Sequence, residues 1–205
     1  MGNFTYEKED RKSVLETYEW DNLWIENTDN HEGKRVLYVG DSISCGTRRT
    51  ATGLAKETIL FDGFGTSKAV DNPFFKQGIR LFQAQLPKTD LILFNNGLHG
   101  FHLEDSTEYA EHYEEMVKFF LEEYKEIPLV LLLTTHINEG DRVERVKARN
   151  KAVLNIAEKY GLPVIDLYTL TAQNQDKLSE DGVHFKPEGY EMISEELISF
   201  INKNY

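Results

Sequence analysis

The chain has 205 residues, of which 40% are hydrophobic and 28% are charged, and its formal net charge at pH 7 is -12. This length and composition are typical of one folded domain with a sizeable core, and they exclude a disordered or fibrous protein. The negative charge argues against nucleic acid and anionic membranes as partners, because both are bound through clusters of lysine and arginine.

Residues 1–33 precede the first apolar run, and we expect them to form a segment that packs on a domain spanning residues 34–205. The stretch "YEWDNLWIENTDNHEGK" is aromatic at first and polar later. Trp20 and Trp24 could stack on a ligand, but aromatic packing of an amino-terminal helix onto the domain is the favoured interpretation.

Five short apolar runs alternate with longer amphipathic stretches, which indicates βαβ units and a parallel sheet. Their nearly continuous hydrophobicity predicts burial on both faces, as in a sheet covered by helices on each side. The runs are "RVLYVG" (35–40), "TILFD" (58–62), "DLILFNN" (90–96), "PLVLLLTT" (128–135) and "LPVIDL" (162–167).

Apolar residues at helical spacing predict four helices around this sheet. Gly161 is expected to end the third of them, and Pro187 suits the first turn of the last. The predicted helical stretches are 72–86, 105–126, 141–161 and 187–202.

The chain is expected to be soluble and cytoplasmic. Its start is charged and lacks the apolar core of a signal peptide, and its longest apolar run, 127–133, is far too short to span a bilayer. The single cysteine, Cys45, cannot form an intrachain disulfide. Homo-oligomer formation is left open by the sequence.

Polar residues collect where the predicted strands end, which is the edge of a parallel sheet at which ligands bind. Ser42 follows the first strand, Asn95 and Asn96 end the third, and His136 follows the fourth. The segment "SEDGVHFKPEGY" carries an aspartate and a histidine three residues apart, just before the last helix.

A serine becomes a nucleophile only when a base lies within hydrogen-bond reach and an acceptor orients that base. Asp181 and His184 can supply both from one short turn, with one imidazole nitrogen facing Ser42. Taken alone, Gly-Asp-Ser after a strand favours a helix cap over catalysis, and an isolated Asp-x-x-His pair is weaker still. Their conjunction on one sheet edge favours catalysis.

The sequence resembles the SGNH hydrolases, also called GDSL esterases and lipases. The resemblance rests on "GDSIS" around Ser42, "DGFGTS", "FNNGLHG" and "DGVH", and it covers the chain from about Lys34 onward. It implies an α/β fold: a flavodoxin-like three-layer α/β/α arrangement around a five-stranded parallel sheet in the order 2-1-3-4-5. It also implies that Ser42 is the nucleophile, His184 the base and Asp181 the residue that orients it.

The resemblance further implies an oxyanion hole formed by Ser42, Gly65 and an asparagine. The common family pattern is Gly-x-Asn-Asp, whereas this chain has Asn-Asn-Gly-Leu-His at 95–99, so the position of the amide is inferred. We predict Asn95, with Asn96 as the fallback.

Other groups near this edge have more ordinary interpretations. His99 and His136 could line the substrate pocket or could hydrogen-bond within loops. A reactive thiolate at Cys45 is less favoured than a small buried residue packed beneath Ser42. The six histidines and Cys45 show no compact metal-ligand spacing, so we expect no metal, and the reaction needs no organic cofactor.

The resemblance, together with the modest chain length and the lack of a long apolar lid, implies a serine esterase that hydrolyses short-chain acyl esters, such as O-acetyl groups on a carbohydrate. The expected partner is therefore a small-molecule or carbohydrate ester. Two alternatives stay open: a lipid or thioester hydrolase that uses the same triad, and a non-catalytic domain that binds a sugar or a partner protein.

Overall fold

The computed structural model describes residues 14–140 and 142–205. These residues form one six-stranded sheet with helices on both faces. The strands are β1 (Asp21–Trp24), β2 (Lys34–Gly40), β3 (Ile59–Thr66), β4 (Leu91–Phe94), β5 (Leu129–Leu132) and β6 (Val164–Ile165). The helices are α1 (Ser42–Leu54), α2 (Phe75–Gln83), α3 (Ser106–Glu123), α4 (Arg142–Tyr160), α5 (Leu167–Ala172) and α6 (Pro187–Asn204), with a 3-10 turn at Gln175–Lys177.

The sheet has the strand order β1-β3-β2-β4-β5-β6. Strands β2 to β6 are parallel to one another, and β1 pairs antiparallel with β3. The predicted α/β class with a helix-covered parallel sheet is confirmed. The predicted order 2-1-3-4-5 took β2 as its first strand, and the five parallel strands keep that relative order.

The prediction of a five-stranded sheet is wrong, because β1 adds a sixth strand at one edge and so changes the order of the whole sheet. An amino-terminal helix carrying Trp20 and Trp24 is wrong as well, since Trp24 is the last residue of β1. All four side chains of β1 are exposed, so the strand shows no apolar alternation in the sequence. Polar contacts help to hold β1 on the domain, such as the 2.6 Å hydrogen bond that the Arg48 Nη2 donates to the Asn22 Oδ1.

Alternate residues of each central strand face opposite layers, and both layers are apolar. In β2, Val36 and Tyr38 pack with α1 and α6, whereas Leu37 and Val39 pack with α2 and α3. Because both faces are buried, the strands read as continuous hydrophobic runs in the sequence.

Helix α5 lies in a stretch for which the sequence analysis predicted no helix. Its cap is Asp166, whose side chain accepts a hydrogen bond from the Thr169 N–H at 2.8 Å. Six residues are too few to show a helical apolar pattern, so this helix depends on its cap and on tertiary packing. Within the described part of the chain, no helix is both long and apolar enough to cross a bilayer.

Candidate active site

Ser42 is the first residue of α1 and lies two residues beyond Gly40, the last residue of β2. The preceding residue, Asp41, is the cap of this helix, and its side chain accepts a hydrogen bond from the Ile43 N–H at 2.9 Å. The backbone N–H groups of a first helical turn lack intrahelical partners, and the helix dipole is positive there. Ser42 therefore lies where a developing negative charge is stabilised.

His184 joins Ser42 to Asp181. Its Nε2 lies 2.8 Å from the Ser42 Oγ, and its Nδ1 lies 2.7 Å from the Asp181 Oδ2. A carboxylate can only accept, so it holds the imidazole proton on Nδ1 and leaves Nε2 free to accept the serine proton. The three residues predicted as a triad are thus brought together in one hydrogen-bonded chain.

The second oxygen of Asp181 is fixed by three donors. Oδ1 accepts hydrogen bonds of 2.9 Å from the N–H groups of Val183 and His184 and from the Ser179 hydroxyl. Burial alone would raise the pKa of Asp181, but these bonds and the one from the His184 ring outweigh it and hold the pKa well below its usual range. The carboxylate is therefore charged at neutral pH.

The turn between Asp181 and His184 requires a glycine. Gly182 has a φ of +73°, and a Cβ there would lie 2.6 Å from the carbonyl oxygen of Asn138. This turn brings the backbone N–H groups back onto the carboxylate, which explains why aspartate and histidine are three residues apart.

Gly65 lies in β3, between Gly40 of β2 and Asn22 of β1. The Ser67 N–H donates to the Trp20 carbonyl at 3.1 Å. Backbone N–H groups alternate in direction along a strand of an antiparallel pair, so the N–H of Gly65, two residues earlier, also points toward β1. A Cβ on Gly65 would lie 2.2 Å from the Cys45 Sγ, so close packing alone accounts for the glycine. Its part in an oxyanion hole stays a prediction.

The two asparagines differ in how their amides are used. The Asn95 Nδ2 donates to the Leu132 carbonyl at 2.9 Å and lies 3.0 Å from the Thr134 Oγ1, so both of its hydrogens have acceptors. The Asn96 Nδ2 donates to the Lys68 carbonyl at 2.7 Å, which engages one of its two hydrogens. At Asn95, an oxyanion would have to displace an acceptor that an amide hydrogen already has. At Asn96, it could bind the second amide hydrogen without displacing the Lys68 carbonyl.

His99 and His136 lie in the loops after β4 and β5. His99 is 8% exposed. Burial raises the pKa of Asp41, and the electrostatic attraction between His99 and the Asp41 carboxylate partly offsets that rise. The ring of His136 packs edge-on against Tyr168, and burial lowers its pKa. His99 therefore belongs to the surroundings of the α1 cap, whereas His136 packs toward α5.

Cys45 packs against the sheet as predicted, but it is half-buried rather than fully buried. It lies one turn past Ser42 against Gly65, and burial raises the pKa of its thiol. Among residues 14–140 and 142–205, no group of three histidine, cysteine or acidic side chains could hold a metal ion.

Sequence reasoning missed three polar residues that contact the site or the loop beside it. Ser179 donates to Asp181, and its position two residues before that aspartate was a usable signal. Glu16 and Arg149 also contact the loop after β4, one from before it in the sequence and the other from after it. Neither lies in a motif, so no local pattern could have indicated them.

Solved structures similar to this fold include several lipolytic proteins. A GDSL-family lipolytic protein from Veillonella parvula is 18% identical, with a TM-score of 0.68 over 83% of this chain and 100% of that one. A GDSL-like lipase from Bacteroides thetaiotaomicron is 18% identical, with a TM-score of 0.66 over 84% of this chain and 89% of the other. An acetyl xylan esterase is 14% identical, with a TM-score of 0.60 over 82% of this chain and 99% of that protein.

No curated protein matches the sequence. The model of the GDSL-like lipase/acylhydrolase family matches residues 38–192, which is most of the chain and includes both ends of the hydrogen-bonded chain from Ser42 to Asp181. This protein belongs to the GDSL-like lipase/acylhydrolase family and is a hydrolase that acts on ester bonds.

Proposed function

We propose that this protein is a serine esterase that removes short acyl groups, with O-acetyl groups on carbohydrates as the favoured substrate. The observation that carries the proposal is the continuous hydrogen-bonded chain from the Ser42 Oγ through the His184 ring to the Asp181 carboxylate. A hydroxyl, an imidazole and a charged carboxylate in this order are the parts that acyl transfer needs.

In the first half of the reaction, the Ser42 Oγ attacks the ester carbonyl carbon and gives its proton to the His184 Nε2. The carbonyl oxygen becomes an oxyanion, stabilised by backbone N–H groups at the start of α1 and by an asparagine amide. The imidazolium then protonates the leaving alcohol as the carbon–oxygen bond breaks. An acyl-enzyme on Ser42 remains.

In the second half, His184 takes a proton from water as the water oxygen attacks the acyl-enzyme. The new oxyanion collapses, the bond to the Ser42 Oγ breaks, and His184 returns its proton to that oxygen. The carboxylic acid leaves and the site is restored. Asp181 stays charged throughout and stabilises the imidazolium.

The openness of the site supports small acyl groups on a polar alcohol. The side chains of His184 and Asp181 are 43% and 53% exposed. A long acyl chain gains affinity by burial in an apolar channel, which so open a site does not favour. The similar fold of a protein named an acetyl xylan esterase is consistent with this choice.

The test compares the wild type with Ser42→Ala on p-nitrophenyl esters of increasing acyl length and on acetylated sugars. We expect the highest kcat/KM for acetyl esters and complete loss of activity in the folded variant. A fluorophosphonate probe should label the wild type and not S42A. An S42A protein that still hydrolyses acetyl esters would contradict the mechanism. A preference for long acyl chains would instead favour a lipid hydrolase, and an unlabelled, inactive wild type would favour a binding domain.

A further inference from the structure

The loop after β4, residues 97–103, is buried although it has no regular secondary structure; we call it the β4 loop. It begins directly after Asn95 and Asn96, the candidate oxyanion donors, and it includes His99. A buried loop must find partners for its backbone N–H and C=O groups, because unpaired ones are costly. Two charged side chains from outside the loop provide several of these partners.

Arg149 of α4 binds four carbonyl oxygens of the β4 loop. Its Nη1 donates to the carbonyls of Gly97 at 3.1 Å and His99 at 2.6 Å, and its Nη2 donates to those of Gly100 at 2.7 Å and Leu103 at 3.0 Å. The side chain is 1% exposed. Burial lowers its pKa to about 10, so the guanidinium remains charged at neutral pH. One buried guanidinium therefore hydrogen-bonds to carbonyl groups from the start to the end of the loop.

The Glu16 carboxylate binds a backbone N–H group of the same loop. The residue is 7% exposed, and its Oε1 accepts a hydrogen bond from the Gly100 N–H at 3.0 Å and lies 3.8 Å from the His99 Nδ1. Gly100 has a φ of +81°, and a Cβ there would lie 2.9 Å from the Ala69 Cβ. Gly100 thus meets a carboxylate at its N–H and the guanidinium of Arg149 at its carbonyl.

The contacts of Arg149 also connect to the asparagines that precede the loop. Tyr109, whose ring lies 4.5 Å under the Arg149 guanidinium, donates its hydroxyl proton to the Asn96 carbonyl. The Asn96 amide in turn reaches the loop after β3 at Lys68. A shift of the β4 loop would therefore be transmitted to the backbone from which both amides project.

We propose that Glu16 and Arg149 are positioning residues of the esterase: a carboxylate from the amino-terminal segment and a guanidinium from α4 clamp the β4 loop, which holds the oxyanion-hole asparagine in place. This inference rests on the proposed function. Neither side chain touches the reacting atoms, so each acts through the loop. The clamp would also make the amino-terminal segment part of the working active site.

The test uses Glu16→Ala, Glu16→Gln, Arg149→Met and Arg149→Lys. Misplaced oxyanion donors stabilise the transition state less, so kcat should fall about 10- to 100-fold in E16A and R149M while KM changes little. Glutamine keeps an acceptor oxygen and lysine keeps a charge, so E16Q and R149K should fall between these variants and the wild type.

Arg35→Met is the matched control for loss of a buried arginine. Arg35 is also 1% exposed and donates to the backbone carbonyls of Glu26 and Asn27, and it pairs with the buried Asp62 at 3.2 Å. It lies near the start of β2, at the end of the strand away from Ser42. R35M should lower the melting temperature, yet its kcat per folded molecule should match the wild type.

Hydrogen exchange gives a second measurement that does not depend on activity. The amides of the β4 loop should exchange faster, relative to those of β4 itself, in E16A and R149M but not in R35M. The clamp is overturned if E16A and R149M keep wild-type kcat, if R35M loses as much kcat as they do, or if exchange in the loop is unchanged. If R149M does not fold, E16A and R149K decide the question. A wild type with no esterase activity would contradict the proposed function instead, and the exchange data would still decide whether the loop is clamped.

Discussion

Asp181→Asn removes the charge of the carboxylate and keeps its shape, so it isolates what that charge does for His184. The N–H groups of Val183 and His184 hold one side-chain oxygen at 2.9 Å. The asparagine oxygen must stay with these donors, so its NH2 group replaces the oxygen that faces the His184 Nδ1. Because that NH2 only donates, the imidazole must accept at Nδ1 and carry its proton on Nε2.

The nitrogen that faces Ser42 then holds a proton and cannot take another. Since the base is lost while binding is retained, kcat should fall about 10³- to 10⁴-fold with KM nearly unchanged. Stability should change far less, by about 1 kcal/mol or below, because the Asp181 side chain is 53% exposed and water screens its interactions.

The pH dependence of that small stability difference has a defined sign. The pKa of Asp181 is depressed in the folded protein, whereas an unfolded aspartate titrates near about 3.9. The charged form therefore stabilises the fold above about pH 4, and this contribution is lost as the pH falls through the folded pKa. The difference in melting temperature between wild type and D181N should narrow below about pH 4.

The assay is steady-state hydrolysis of p-nitrophenyl acetate, with melting curves measured on the same samples. Ser179→Ala is the matched control, because it removes a hydroxyl that lies 2.9 Å from the Asp181 Oδ1 and 3.0 Å from the His184 carbonyl oxygen, but keeps the carboxylate that sets the imidazole tautomer. We expect S179A to lose less than about tenfold in kcat. The reasoning is refuted if D181N retains more than about a tenth of wild-type kcat, or if S179A is as damaging as D181N.

One chemical probe and one pair of substitutions test α1 and its surroundings. Burial raises the pKa of Cys45, so iodoacetamide should alkylate the folded protein at least about tenfold more slowly than the urea-unfolded chain, and equal rates would contradict a packing role. In a helix such as α1, replacing Gly by Ala stabilises the fold by about 1 kcal/mol through helix propensity. A Cβ on Gly53 would meet nothing within 4 Å, so this gain is kept there, whereas a Cβ on Gly46 would lie 2.3 Å from the Tyr190 Cε1. Gly46→Ala should therefore lower the melting temperature and Gly53→Ala should raise it; shifts in the same direction would contradict the packing argument.

The features that could be predicted from the sequence were those that depend on residues close together along the chain. Parallel strands buried on both faces appear as apolar runs, and the spacing of Asp181 and His184 follows from one glycine turn. Strand β1 could not be predicted, because its four exposed side chains leave no apolar pattern and its pairing with β3 is a long-range contact. The direction of the Asn95 amide was also beyond reach, since its acceptors lie 37 and 39 residues away at the end of β5.

The same distance in sequence explains why the clamp on the β4 loop left no motif. Gly100 and Glu16 are 84 residues apart, and Arg149 lies 49 residues beyond Gly100. Charged residues at such separations resemble ordinary surface charges until burial is known. A buried charge must be paired with charges or hydrogen-bonding groups, and here both charges bind one loop.

The two interpretations of Gly-Asp-Ser, a helix cap and a nucleophile, are compatible in the folded protein. Asp41 caps α1 with one carboxylate oxygen, and its backbone carbonyl accepts hydrogen bonds from the Cys45 N–H at 3.2 Å and from the Ser44 hydroxyl at 2.6 Å. These bonds fix the first turn of the helix, so Ser42 has little freedom to move away from His184. The cap thus places the hydroxyl 2.8 Å from the imidazole and leaves the Ser42 N–H at the positive end of the helix. A short cap sequence after a buried strand therefore fixes the hydroxyl of the proposed nucleophile and also places the Ser42 N–H, a proposed oxyanion donor, at the start of the helix.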